Sequence, residues 1–309
     1  MQNSVTTIID PDACIGCGEC VAVCPAGTIS MQGDKAVITG SYSMGCGHCE
    51  AVCPTGAIRV EGLEHPFALS CTPVHNRWLP HGEYDTGELV RLMRSRRSCR
   101  NYQKKEIDRQ MLDDLVRIGT TAPSGTNAQL WTFTILAGRR EVISLGEQMA
   151  GYFRGLNRMA EKSWLRFLAK FFAGDALGNY YRCYYETVRQ GLLLWDRDSL
   201  DTLFHGAVAA ILVGGKKSAS TPMEDALLAS QNILLAAHSL GLGSCMIGFA
   251  VEAIRRDKEI RRNLQIPEDE LIYSVIALGY PAETYNRAAH RKRIVPRYPS
   301  LINKDAGNG

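Results

Sequence analysis

The chain has 309 residues, with 35 lysines and arginines against 32 aspartates and glutamates and a formal net charge of +3, too small to imply nucleic acid. An apolar share of 45% with 22% charged residues describes a soluble protein able to bury a sizeable core, and the length exceeds what one core usually organises, so two domains are expected. No run approaches 18 uninterrupted apolar residues, so no transmembrane segment is expected.

The stretch from Met1 to Asp10 lacks the charged and apolar regions of a signal peptide, which points to a reduced, cytoplasmic setting with little oxygen. Seven of the eleven cysteines then lie between positions 14 and 53. They fall in a 16-residue stretch that occurs twice, 29 positions apart: Cys14 to Ile29 and Ser43 to Ile58 are identical at ten positions. The first copy reads Cys-x2-Cys-x2-Cys-x3-Cys-Pro, the run that binds cubane iron-sulfur clusters and whose fourth cysteine ligates the other run's cluster. Cys14, Cys17, Cys20 and Cys53 are therefore expected to hold a 4Fe-4S cluster, and Cys46, Cys49 and Cys24 a second cluster.

Ser43 stands where the second copy's first cysteine belongs, so that site is one thiolate short. Three outcomes stay open: a 3Fe-4S cluster on three cysteines, a 4Fe-4S cluster whose fourth iron takes the Ser43 hydroxyl or water, or no second cluster. The spacing of Cys71 gives no support to its folding back as a substitute ligand. A disulfide-stapled miniprotein is the bland alternative, and it would need a secretory segment.

Residues 1–62 form the cluster domain, in which short strands such as Ala36 to Thr39 alternate with Gly-rich ligand loops. Residues 63–84, with three prolines and three histidines in no clear period, read as a connecting arm. The larger domain runs from 85 to 309. Asp85 and Glu88 make a capping-box pattern opening a helix through Leu89, Leu92 and Met93. Asp108 caps another that carries Leu112, Leu115 and Ile118 on one face and stops at Ala122-Pro123. Trp131 to Leu136 alternates like a strand, and Val208 to Val213 suits a buried one.

Glu224 to Leu240, apolar nearly all round, belongs in a core or a subunit interface. A polar-faced helix over roughly 251–264 and a strand from Leu271 to Leu278 complete the domain. Without the regular alternation of a doubly wound sheet, its fold class is α+β. Residues 151–204 differ in character, with Trp164, Phe167, Leu168 and Phe171 at helical spacing and Lys162, Arg166 and Lys170 interleaved. Helices packed on their own domain, a lid over an active site and membrane-surface binding are all compatible with that pattern.

Three separated groups in the larger domain make sense together. Arg96-Arg97-Ser98-Cys99-Arg100 follows a helix, Ala122 to Gln129 supplies a turn rich in hydrogen-bonding groups, and Arg287, Arg291, Lys292 and Arg293 bring further cations. An anionic ligand with hydrogen-bonding ring edges would satisfy them, since a phosphate needs charged donors where no P-loop exists. Taken singly, each reads as a solvated basic face or a turn.

In this order they resemble the nitroreductase family of FMN-dependent flavoproteins, over about Thr86 to Pro296. The resemblance is carried by Arg-Arg-Ser-x-Arg, by Ala-Pro-Ser-Gly-x-Asn-x-Gln-x-Trp ending at Trp131, by Gly241-Leu-Gly-Ser-Cys245 and by Leu278-Gly-Tyr-Pro281. It implies an α+β homodimer with FMN at the subunit interface, where the Glu224 helix is a natural element. By match to the family's motifs, Arg96, Arg97, Ser98 and Arg100 contact the isoalloxazine, ribityl or phosphate groups, and Arg291 and Arg293 the phosphate. Pro123, Ser124, Gly125 and Asn127 reach the flavin of the partner subunit, and Gly243 and Ser244 offer backbone N–H groups near the flavin edge. The sequence departs at Leu130, where the family commonly has proline, and 151–204 does not match closely. His205 is tempting as a proton donor, but a lone histidine before an apolar strand is more often structural. No catalytic side chain is assigned, because the flavin carries the chemistry.

The whole chain resembles fusions of a two-cluster ferredoxin with a nitroreductase domain known from anaerobes. That implies an oxidoreductase passing electrons from reduced ferredoxin or NAD(P)H through the clusters to FMN, and on to a nitroaromatic, quinone or similar conjugated acceptor. No Gly-x-Gly-x-x-Gly fingerprint marks a dedicated Rossmann domain. The alternatives are a non-catalytic electron-carrier or redox-sensing subunit of a larger complex and a flavin doing oxidative work.

Overall fold

The sequence repeat folds as a structural repeat. In a computed structural model describing residues 4–299, β1 (Thr7–Ile9) pairs antiparallel with β4 (Ile58–Val60), and β2 (Ile29–Gln32) with β3 (Lys35–Ile38). Residues 1–3 and 300–309, assigned above to the ends of the two domains, lie outside the described residues. Each ligand run contains a short helix that periodicity does not reveal, α1 (Glu19–Val23) and α2 (His48–Val52). Both start after a glycine in the left-handed region, Gly18 at φ 76° and Gly47 at φ 73°, where a side chain would be strained. Both stop at the last cysteine of their run, ahead of Pro25 and Pro54. Ile29, Ala36, Ile58 and Val60 close a small core with Cys20 and Cys49.

The arm forms no helix or strand. Beyond it, Asp85 caps α3 (Thr86–Ser95) by accepting from the Glu88 N–H at 3.1 Å, and Asp108 caps α4 (Arg109–Gly119) by accepting from the Gln110 N–H at 2.9 Å. The second helix ends before Ala122, because the Thr120 and Thr121 hydroxyls turn back onto the carbonyls of Arg117 and Ile118, each at 2.7 Å.

Four antiparallel strands, β5 (Trp131–Leu136), β6 (Ala209–Lys216), β7 (Gly243–Met246) and β8 (Glu270–Gly279), form the main sheet in the order β5-β6-β8-β7. The third is an edge strand inside the Gly-Ser motif, too short and too small-sided for alternation to reveal. The second runs past Val213 to Lys216, with a register shift at Gly214. A Cβ at Gly214 would stand 2.6 Å from the Leu271 carbonyl, so only glycine passes there. The sheet carries α9 (Pro222–Ser239), which starts with proline in its first turn and buries Ala226, Ala229, Ile233 and Ala237.

The helix expected over 251–264 is two, α10 (Gly248–Arg256) and α11 (Lys258–Asn263). Asp257 breaks it by capping the second piece, accepting from the Glu259 and Ile260 N–H groups at 2.8 and 3.1 Å. The divergent segment is helical, but its boundary at Gly151 falls inside the 23-residue α5 (Arg139–Glu161). Three helices follow, α6 (Ser163–Ala173), α7 (Ala176–Cys183) and α8 (Tyr185–Asp198). The last crosses α5 at Gly146, where a Cβ would meet the Trp195 ring at 2.8 Å. The larger domain is thus α+β, with cores on both faces of one sheet. No helix among the described residues is long and apolar enough to cross a membrane.

Candidate functional site

Cys14, Cys17, Cys20 and Cys53 line one small cavity, beside Ile15 and Ala36. Cys24, Cys46 and Cys49 line another, with Ser43, Met44 and His48. The cavities divide the thiols as crossed ligation would, the fourth cysteine of each run standing in the other run's cavity. Among the described residues no group of His, Cys, Asp or Glu closes tightly enough around one point for a single ion. Thiols ranged around a space, with no acids among them, suit a multi-iron cluster instead.

The thiols differ in a repeated way. Burial pushes Cys20 and Cys49 up. Burial acts on Cys24 and Cys53 too, but hydrogen bonds outweigh it and bring both below the ordinary thiol value: Thr28 and Ala26 at Cys24, Thr55 and Ala57 at Cys53. Each cavity therefore has one deep thiol and one already inclined to thiolate. Ser43 lines the second cavity, and its hydroxyl accepts from the Gly45 N–H at 3.1 Å. Cys71 lines neither cavity, and its N–H is held by Asp114.

In the larger domain, Ser98 bridges to Ser244 of β7, with the Cys99 N–H donating to the Ser244 carbonyl at 3.0 Å. Gly243 is glycine because a Cβ there would lie 2.8 Å from the Cys99 sulfur. Arg96 is pushed below its usual value by burial and then by the charges of Arg291 and Arg97. None of the three meets a carboxylate in the described salt bridges. Unbalanced charge of this kind fits a phosphate monoester, and beside Ser98 the buried Ser244 hydroxyl has no partner among the described residues. Of the C-terminal cations it is Arg291, not Arg293, that bears on Arg96. His238 also lies here, held down by burial and Arg96, and nothing in its sequence context marks it.

The turn from Ala122 to Gln129 is strained. Thr126, Asn127 and Gln129 hold φ of 53°, 54° and 50°, values side chains rarely adopt and which persist only when braced. The brace is Asp225, 4% exposed, whose Oδ1 accepts from the Gly125 N–H and the Thr221 hydroxyl, both at 2.9 Å. Its carbonyl takes the Trp131 indole N–H at 3.2 Å. Asp225 escapes sequence reasoning; the available signal is an acid in the first turn of an otherwise apolar helix. The Ser124 hydroxyl accepts from the Gln129 N–H at 3.0 Å, and Pro123 is exposed. No described hydrogen bond joins this turn to the Arg96 group. The Asn127 amide donates to the cluster domain, at the carbonyls of Met44 and Gly45.

Beside these residues opens a cavity of about 890 Å³. Arg100, His205 and Cys245 stand on one side, and Tyr152, Tyr180 and Tyr184 from the divergent helices on the other. Those helices therefore both pack on their own domain and cover a cavity. His205, at φ 56°, is pushed down by burial and then by Arg100, which favours its neutral form. The outer side of α6 leaves Trp164, Phe167, Phe171 and Phe172 exposed.

Residues 93–280 match the model of the nitroreductase family, and residues 6–61 that of the 4Fe-4S dicluster domain. A Methanothermobacter thermautotrophicus protein, provisionally named NADH dehydrogenase/NAD(P)H nitroreductase, is 28% identical over 65% of this chain and 82% of its own. The 4-nitrobenzoate reductase of a Nocardioides species is 26% identical over 61% of this chain and 78% of its own. A crystal structure of a Bacteroides fragilis nitroreductase with bound FMN, 24% identical, covers 70% of this chain and 100% of that one at a TM-score of 0.51, which shows a shared fold. The chain is an oxidoreductase that belongs to the nitroreductase family and carries a 4Fe-4S dicluster domain before its nitroreductase domain.

Proposed function

We propose that this oxidoreductase takes electrons from a low-potential donor, reduced ferredoxin or NAD(P)H, through its cluster domain to FMN, and delivers them to a nitroaromatic, quinone or similar conjugated acceptor. When bound, FMN supplies the exchange between single electrons and electron pairs that such a fusion needs. Arg96, Arg97 and Arg291 hold its phosphate, while Ser98, Arg100, Gly243 and Ser244 serve the rest of the cofactor. Cys14, Cys17, Cys20 and Cys53 hold a 4Fe-4S cluster, and Cys24, Cys46 and Cys49 hold a second cluster that Ser43 faces.

The observation that carries the acceptor class is the large cavity. Its tyrosine and Phe249 walls offer flat apolar faces to a planar acceptor. The name of the Nocardioides relative, a 4-nitrobenzoate reductase, supports the same class. A cavity of this size counts against a non-catalytic carrier. Exposed Leu89, Val90 and Met93 on α3, with Met223, Leu227 and Leu228 on α9, support a homodimer built on these helices.

The test is turnover of the anaerobic holoprotein with 4-nitrobenzoate and with a naphthoquinone, for wild type and for Tyr180→Ala, which opens the cavity wall. The reading expects turnover in wild type and a raised KM in the variant. No turnover with either acceptor, at full flavin and iron content, would contradict it.

A further inference from the structure

We infer that Asn127 is a positioning residue that latches the second, three-cysteine cavity onto the braced turn and makes that cavity the junction between the two domains. The inference rests on the reading above that the cluster domain supplies the electrons.

The Asn127 Nδ2 donates to the Met44 carbonyl at 3.2 Å and to the Gly45 carbonyl at 3.1 Å. Met44 lines the second cavity together with Ser43 and Cys46, so the amide grips the wall of that cavity. Ser43 belongs to the same joint. Its hydroxyl accepts from the Gly45 N–H and closes the loop locally, which leaves the next two carbonyls for Asn127. The substitution that removes a thiolate from the second site therefore lies within the latched loop.

Asn127 cannot swing freely, because its backbone and those of Thr126 and Gln129 are held left-handed by Asp225, Thr221 and Ser124. Asparagine is among the few residues other than glycine that accept such φ values at modest cost. Two further fastenings hold the arm. The buried Asp114 carboxylate accepts from the Ser70 and Cys71 N–H groups, each at 2.7 Å. Arg117 donates to the Ala68 carbonyl at 2.7 Å and pairs with Glu64. All three fastenings come from residues 114–127, and they secure the cluster domain by its arm and by its second cavity.

The first cavity turns elsewhere. Ile15 on its wall is 66% exposed and Cys17 is exposed. No described hydrogen bond joins residues 14–20 to the larger domain. A donor meets the first cavity, and the second stands at the joint. Each crossing of that joint removes one electron from the cluster side and adds one to the flavin side. Two crossings and one solvent proton match the electron pair an acceptor removes, and the low-potential donor replaces both electrons.

The test compares anaerobic wild-type holoprotein with Asn127→Asp, which keeps the side-chain shape and the left-handed backbone but turns the donor into an acceptor. Asn127→Gly, which also tolerates this φ, guards against a folding failure, and the double variant Asp114→Asn/Arg117→Ala loosens the arm without touching the turn. Hydrogen exchange at the amides of residues 44–46 reads the mobility of the loop whose carbonyls the latch holds. Stopped-flow reduction by dithionite reads the delay between cluster and flavin bleaching, taken as a ratio to direct photoreduction of the flavin in the same sample. The latch predicts faster exchange in both Asn127 variants and little change in the arm variant, whose Asn127 bonds stay intact, with a cluster-to-flavin phase slowed roughly 5-fold or more in the Asn127 variants, the low end of what two neutral hydrogen bonds amount to. Unchanged exchange with an unchanged ratio in the Asn127 variants would overturn it. So would loss of flavin with unchanged exchange, which would return Asn127 to the flavin itself. A wild type whose clusters never reduce its flavin would sink the functional reading instead, and the exchange data would still decide the latch.

Discussion

Arg291→Ala separates a phosphate site from a merely basic surface. Arg291 and Arg97 both bear on the half-buried Arg96, and no carboxylate among the described residues pairs with any of the three. Without an anion these charges repel, so the flavin-free variant should be no less stable than wild type; for partly exposed charges the gain is only ~0.5 kcal/mol. With FMN bound the sign reverses, because one charge-assisted hydrogen bond to the phosphate is lost, worth about 1.5 to 3 kcal/mol. At about 1.4 kcal/mol per decade, FMN should bind roughly 10- to 150-fold more weakly. The assay is titration of flavin-stripped protein with FMN and with riboflavin, which lacks the phosphate. Riboflavin should bind wild type and variant alike, Arg293→Ala should behave as wild type, and iron content should not change. Equal weakening of both flavins, or an Arg293→Ala effect as large as that of Arg291→Ala, would refute the assignment.

Ser43→Cys supplies the missing thiolate to the second cavity, so a three-iron signal in electron paramagnetic resonance, where present, should become a four-iron one; an unaltered spectrum would remove Ser43 from the cluster's edge. Cys24→Ala should cost the second cluster and Cys53→Ala the first, because each stands in the other run's cavity; loss of the first cluster in Cys24→Ala would mean ligation is not crossed. His205 is held below its ordinary value by burial and then by Arg100. The unfolded chain then takes up its proton first, so stability is full above the unfolded value of about 6.5 and is lost as pH falls from there toward the folded value. His205→Gln should flatten that slope in urea unfolding below about pH 6.5, and identical slopes in variant and wild type would contradict the burial argument.

The parts legible in the sequence are those governed by local chemistry. Cysteine spacing reveals two thiol-lined cavities, and the aspartates at 85 and 108 reveal two helix starts, because a ligand run and a cap are written in adjacent residues. Long-range causes are not written that way. Asp225 lies 100 residues from the Gly125 N–H it braces, and Asn127 lies 83 from the Met44 carbonyl it grips. Asp257 reads as one more polar residue on a helix face until its carboxylate is seen capping the next helix. The edge strand β7 is recognisable only through its partner β8, since four residues, Gly-Ser-Cys-Met, are too few to show a pattern of their own.

The most direct test of the central claim is a stepwise anaerobic titration of the holoprotein, in which reduced ferredoxin or dithionite is added while cluster and flavin absorbance are followed, and one equivalent of a nitroaromatic is then mixed in. The account predicts that flavin bleaches after the clusters and that both reoxidise promptly when the acceptor arrives. Clusters that fill while the flavin stays oxidised, or a reduced flavin that the acceptor does not discharge, would contradict it.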